Sequence, residues 1–273
     1  MHRVKKLFNI EAGDIKDSLQ PVLSIRLGEK HCCFSITDYN SNQLKSLAYY
    51  TDDRVTDLFL NKLLEAHEEL NSRFYKILIC YDYFTSNLVA FNNYKHEDAG
   101  ILLQTMFGLT KTSSVISEPI AEWQLYNVYA VPEDVKLWMH QKFPSAKYWH
   151  QHTLNIKNSK TEGTAGIFLV DIRNEDFTLL AAANNEIILA QTFQYTTPVD
   201  VLFYLLNVCR QFNLSQEQVK IKLSGLVDRQ SALFSDLLQY FMFVEFRNAD
   251  WKTETEYPQH FFASLNDLSA CAS

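Results

Sequence analysis

Along residues 22–27 apolar and polar side chains alternate, with Leu23, Ile25 and Leu27 on one face and Ser24 and Arg26 on the other. That period of two predicts a strand. Gly28, Glu29 and Lys30 form a tight turn, and Phe34 and Ile36 carry a returning strand to Thr37. Leu44 to Tyr50 predicts a third strand. Val55, Leu58, Phe59, Leu63, Ala66 and Leu70 then recur at helical spacing. Lys76 to Tyr81 is a compact apolar strand and Asn87 to Phe91 a shorter one. Glu97 and Asp98 open a helix running through Met106, since acids suit the positive end of the helix dipole. Farther on, Pro119 to Trp123 and Gln124 to Ala130 read as extended. Residues 132–143 predict a helix bounded by Pro132 and Pro144, and Lys147 to Ile156 a further strand. The polar run 158–164 reads as a linker.

The same order then returns. Strand 166–172 turns at Arg173, Asn174 and Glu175 into strand 176–183. Asn184, Asn185 and Glu186 make a hairpin turn, because asparagine tolerates the left-handed backbone. Ile187 to Tyr195 is the third strand, Pro198 opens a helix through Phe212, and Val219 to Leu223 is a strand. A helix over about 228–241, a strand at 243–246 and a helix at 258–269 complete the chain. No short motif repeats between the halves; the order of elements does. Three meandering strands followed by alternating helices and strands predict an α/β protein built on mixed sheets. The expected domains are 1–163 and 164–273, with the stretch at about 115–156 as a small additional subdomain of the first.

Composition narrows the function classes. At 273 residues the chain suits two domains of ordinary size. The net charge of -7 argues against a nucleic-acid partner, and Lys5-Lys6 and Lys157 to Lys160 are short surface clusters. No run reaches the roughly 18 apolar residues of a membrane span, so no membrane insertion is expected. Positive charge near the start has no apolar run behind it, so no secretory leader is expected. Five scattered cysteines, an odd number, fit a reducing cytoplasm better than a disulfide framework. Only 7 glycines are present, which weighs against a glycine-rich phosphate loop.

The two hairpins, 22–37 and 166–181, each open one half of the chain, and in this the sequence resembles the actin-like ATPase superfamily. The resemblance extends to the bacterial pilus-assembly and cell-division actin-like proteins and to an uncharacterised bacterial family with an actin-like ATPase fold. It spans nearly the whole chain, including residues 126–136, similar to the strand and helix of the relatives' inserted subdomain, and 219–225, similar to the strand ending at the adenosine loop. It implies two ribonuclease-H-like lobes whose hairpin turns face each other across a cleft, with ATP and magnesium held between them. The first phosphate loop of such proteins runs aspartate, any residue, glycine; here it is Arg26-Leu27-Gly28. The second runs aspartate, apolar residue, glycine, glycine; here it is Asp171-Ile172-Arg173-Asn174. The adenosine loop keeps Ser224-Gly225. Side chains thus stand where backbone N–H groups would approach phosphate, and Glu175 and Asp176 would repel an anion. The resemblance therefore implies a vestigial nucleotide cleft at Arg26, Gly28, Asp171, Ser224 and Gly225, with no catalytic residue, no cofactor and a protein-binding or scaffold role. The alternative is an ATPase with an altered phosphate site, Asp171 holding a cation and Arg26 touching phosphate.

Other chemistry is weaker. A metal nuclease would need clustered carboxylates, and Asp171 has no evident partner in the pattern. His150 and His152, with His140, could form a metal set, but no cysteine or carboxylate sits at ligand spacing, and the ordinary reading is exposed polar edges. Alternation puts Cys32 and Cys33 on opposite faces. The acid pairs Asp52-Asp53, Glu68-Glu69 and Glu97-Asp98 are surface groups, since adjacent residues do not face each other on a helix. Three of the four tryptophans fall within 115–156. Trp123, Tyr126, Tyr129, Trp138 and Trp149 are candidate anchors for a protein partner, weighed against simple core filling.

Overall fold

The computed structural model describes residues 4–109, 112–159, 166–253 and 255–271. From residue 160 onward the expected linker at 158–164 lies outside the described residues. The chain divides into two compact units. One comprises Met1–Leu154 with Asp250–Glu256 and Leu265–Ser273, the other Asn155–Ala249 with Tyr257–Ser264.

In the first unit the elements run β1 (Lys5–Glu11), β2 (Pro21–Leu27), β3 (His31–Asp38), β4 (Leu44–Thr51), α1 (Asp57–Ala66) and β5 (Lys76–Tyr81). There follow β6 (Ser86–Ala90), α2 (Ala99–Phe107), β7 (Ser113–Ile120), β8 (Leu125–Pro132), α3 (Glu133–Lys142), β9 (Lys147–His150) and α4 (Gln151–Asn158). The main sheet has the order β1-β4-β3-β2-β5-β9, and a second sheet has the order β6-β8-β7. Thr56 caps α1 by accepting from the Phe59 N–H at 3.3 Å. Phe59, Leu60 and Leu63, at three- and four-residue spacing, pack with Leu23, Ile25, Leu27, Phe34 and Ile36 in the larger core.

Several expectations change. The sequence pattern predicts no strand at 5–11; the chain forms one there that pairs antiparallel with β4, and its charged, half-exposed residues hide the alternation. The polar face of β2 is buried too, Ser24 and Arg26 included, because Val22, Leu78 and Cys80 are covered on that side by Leu154 of α4 and by Leu268. The single strand expected over 147–156 is instead strand β9 followed by helix α4. The reversal is local: the His150 Nδ1 accepts from the His152 N–H at 3.1 Å, capping the helix start. His150 and His152 are therefore core residues, 0% and 1% exposed, not polar groups on exposed edges. His150 Nε2 donates to the Tyr83 carbonyl at 3.0 Å, and its N–H donates to Glu118 Oε2 at 2.9 Å. The small sheet draws on residues 86–132, with Ala99 and Leu103 of α2 against Val128 and Ala130, while β9 returns to the main sheet beside β5. The extended reading of 119–123 breaks at a 3-10 turn, Ala121–Trp123, followed by Gln124 at φ 51°.

In the second unit, β10 (Ile167–Ile172), β11 (Asp176–Ala183) and β12 (Glu186–Gln194) form the meander. They precede α5 (Pro198–Gln211), β13 (Lys220–Gly225), α6 (Ala232–Tyr240) and β14 (Phe243–Phe246); α7 (Ala263–Ala270) follows and from Leu265 onward belongs to the first unit. The order is β12-β11-β10-β13-β14, with β13 parallel to both β10 and β14. Asn184 and Asn185 turn the hairpin at φ 53° and 61°, as their chemistry predicts. Thr197 and Asp200 form a capping box around Pro198 at the start of α5. Among the described residues no helix is long and apolar enough to cross a membrane.

The two units repeat one plan. Strands β4-β3-β2-β5-β9 and β12-β11-β10-β13-β14 follow the same order, and the agreement reaches single hydrogen bonds. The Gly28 N–H donates to His31 O at 3.0 Å as the Arg173 N–H does to Asp176 O at 2.9 Å. The Asp82 N–H donates to Leu27 O at 2.8 Å as the Leu226 N–H does to Ile172 O at 2.7 Å.

Candidate functional site: two loops with their charges closed

Arg26 and Gly28 lie at the end of β2 and in the turn that follows. Register sets Arg26 opposite Cys80 and Leu27 opposite Tyr81, so the next residue on that side, Asp82, stands beside the turn. Arg26 Nε donates to Asp82 Oδ2 at 2.9 Å, and its Nη2 lies 2.7 Å from the same oxygen. His31 Nε2 approaches that oxygen at 3.2 Å from the other limb of the hairpin. Arg26 is 4% exposed, Asp82 3% and His31 5%, so one carboxylate and two basic groups form a buried cluster. In a low-dielectric setting such charges persist only when paired. Gly28 is required by close approach: a Cβ there would lie 2.5 Å from the Asp82 carbonyl oxygen and 2.6 Å from His31 Cε1.

In the second unit Asp171, Ser224 and Gly225 do come together, because parallel register pairs Asp171 with Ser224 and Ile172 with Gly225. The Ser224 hydroxyl donates to Asp171 Oδ1 at 2.8 Å, and Arg247 Nη2 donates to the Ser224 oxygen at 3.3 Å. Arg173, two residues after Asp171, bends back over the turn: Nη1 lies 3.8 Å from Asp171 Oδ2, and Nε donates to Asp176 Oδ1. Tyr195 donates its hydroxyl to the Arg173 carbonyl at 2.6 Å; burial, followed by the Asp176 charge, pushes its phenol pKa up. Gly225 has φ +85°, and a Cβ would meet Ile172 O at 2.1 Å, so no other residue suits this station.

Sequence reasoning missed Asp82, His31 and Arg247 as members of these clusters, and read Asp176 as a repelling charge without its pairing to Arg173. The available signal was register: Asp82 follows the strand parallel to β2, one residue past the partner of Leu27. Among the described residues no group of three or more His, Cys, Asp or Glu side chains is placed to hold a metal ion. The Cys32 thiol is buried, and burial raises its pKa well above the ordinary value.

The five aromatic candidates serve different cores. Tyr129 is 2% exposed and packs in the main core, its ring 4.6 Å from that of His150. Tyr126, on the opposite face of β8, stacks on Tyr94 at 4.0 Å in the small-sheet cluster. Trp138 is half-buried on α3, with Nε1 donating to Asn61 Oδ1 at 2.9 Å. Trp149 is half-buried against Val22, Leu78 and Leu154, and Trp123 is half-buried in the 3-10 turn.

Two repeated mixed-sheet units, each opening on a three-strand meander with a charged turn, define a mixed α/β protein of the actin-like ATPase fold. The crystal structure of a Bacteroides thetaiotaomicron protein with an actin-like ATPase fold and unknown function superposes with TM-score 0.72. It is 18% identical, over 86% of this chain and 93% of that one. The PilM–PilN type IV pilus biogenesis complex superposes with TM-score 0.56 at 13% identity, over 92% of this chain and 98% of that one. At these identities the likeness establishes the fold. No curated protein matches the chain. The chain belongs to the family described as "Protein of unknown function (DUF3822)", which it matches over residues 11–244.

Proposed function

We propose that this protein is a catalytically silent member of the actin-like fold, working in the cytoplasm as a protein-binding or scaffold module. The observation that carries the reading is the Arg26–Asp82 pair, 2.7 Å long and buried, at the station where a metal-organising carboxylate would stand. The residues present do not suit magnesium–ATP. His31 and the Asp82 carbonyl fill the space above Gly28. In the second unit a guanidinium occupies the first glycine position, and the carboxylates of Asp171 and Asp176 are drawn toward it. Opening either cluster for phosphate would uncover a buried charge, which is costly. PilM, one of the similar structures, is itself held in a complex with PilN, which supports a binding role on this fold. Trp123, Tyr126, Trp138 and Trp149, each half-buried, stand as the candidate anchors, and Tyr129 contributes packing. Mass spectrometry of material released by heating the freshly purified protein tests the proposal. We expect no nucleotide; stoichiometric adenine or guanine nucleotide would contradict it and favour a nucleotide-binding protein with an altered site.

A further inference from the structure

Among the described residues strand β12 is the edge of its sheet, although its counterpart in the first unit is not. There β4 holds the equivalent place, and β1 covers it antiparallel, from Lys5 opposite Thr51 to Glu11 opposite Ser46. The difference shows in burial: six of eight residues of β4 are buried, but only Ala190 of the nine in β12. Proteins usually protect such an edge with lysine, proline or an inward charge. From Ile187 to Gln194 β12 carries none of these, and its one irregularity lies at the start, where the register with β11 shifts between Ala181 and Ala182. Beyond that shift, Leu189 to Gln194 is a regular, uncharged strand.

We propose that β12 pairs antiparallel with β12 of a second copy of this chain, about a two-fold axis at Gln191. In a symmetric antiparallel pair, opposed residues must lie on the same sheet face, so their numbers differ by an even amount. Centring on Gln191 keeps the pairing within the regular segment. It sets Leu189 opposite Phe193 twice, Ala190 opposite Thr192 twice, and Gln191 opposite itself, so apolar groups meet apolar groups and no like charges are opposed. Leu189 and Phe193 lie on the face that packs against α5, where the Phe193 ring stacks on Tyr204 at 4.5 Å. Phe203 of α5 is 59% exposed, lines one groove with Gln194 and Tyr195, and lines a second with Leu206 and Leu214. It extends the apolar edge onto the helix, giving the second copy more than a strand to cover. A closed isologous dimer uses up the β12 edge of both copies, which limits further growth along that edge.

Gln191 is exposed and sits on the axis, so one substitution places two charges face to face. We expect analytical ultracentrifugation of the full chain to find wild type as a dimer at micromolar concentrations. Gln191→Lys and Gln191→Glu should each weaken association by more than about tenfold. Mixing the two variants in equal amounts should restore a heterodimer, with unchanged thermal melts of each variant confirming intact folds. A monomeric wild type, variants that dimerise as wild type does, or a mixture that stays monomeric would each overturn the proposal.

Discussion

The turn after β2 and the turn after β10 share a backbone and oppose each other in charge. In the first unit one carboxylate, Asp82, is shared by two basic groups, Arg26 and His31. In the second, one guanidinium, Arg173, is shared by two carboxylates, Asp171 and Asp176. The hydrogen bonds that shape both turns match within 0.1 Å, from 3.0 against 2.9 Å and from 2.8 against 2.7 Å. In both places the turn is packed with charged side chains that pair with one another. The repeat thus conserves geometry while the chemistry of each turn turns inward.

The largest effect should come from the shared group of each cluster. Asp82→Ala removes the carboxylate that Arg26 and His31 share and should cost about 3–5 kcal/mol in denaturant unfolding. Pairing it with Arg26→Met should recover much of that loss, because a charge is no longer buried against an apolar gap. A loss under about 1 kcal/mol for Asp82→Ala would place the cluster in solvent, against the account. The glycines come next. Gly225→Ala should cost about 3 kcal/mol, since it combines a positive φ with a backbone clash, and Gly28→Ala less, since part of its clash is with the His31 side chain. Equal losses would mean that the two stations are held equally tightly.

The hairpins were legible in the sequence because alternation and turn chemistry are local signals. Leu23, Ile25 and Leu27 announced β2, and Asn184-Asn185 announced the second hairpin's turn. The charge clusters were not, because they depend on register between strands far apart in sequence. Arg26 and Asp82 are 56 residues apart and meet only through the parallel pairing of β2 with β5. Helix α4 was hidden for a different reason. His150, which caps its start, and His152, in its first turn, look like surface groups in the sequence, and only their burial, with His150 held by Tyr83 and Glu118 beside the Tyr129 ring, shows them to be core.

A smaller effect follows from Asp171. Asp171→Asn keeps the Ser224 contact and leaves Arg173 with Asp176, so it should cost about 1 kcal/mol, well below Asp82→Ala. If the two losses were equal, the contrast between shared carboxylate and shared cation would fail. The smallest effect concerns acid. The β3–β4 turn is tied by Asp38, which accepts from the Ser18 hydroxyl and from the Ser41 N–H and hydroxyl, whereas the β11–β12 turn relies on its two asparagines. The Ser18 hydrogen bond, followed by those from Ser41, lowers the Asp38 pKa from 3.8 to about 2. A lowered folded pKa gives stability that is present in full above 3.8 and is lost as pH falls toward about 2. Hydrogen exchange across that window should therefore loosen the first hairpin before the second, and Asp38→Asn should remove the difference.

Calorimetric titration of the purified protein with magnesium–ATP tests the closed-loop reading most directly. Two turns whose charged side chains are already paired with one another predict binding no tighter than about millimolar, which is only about -4 kcal/mol. Micromolar affinity that is lost in Asp171→Ala would contradict it.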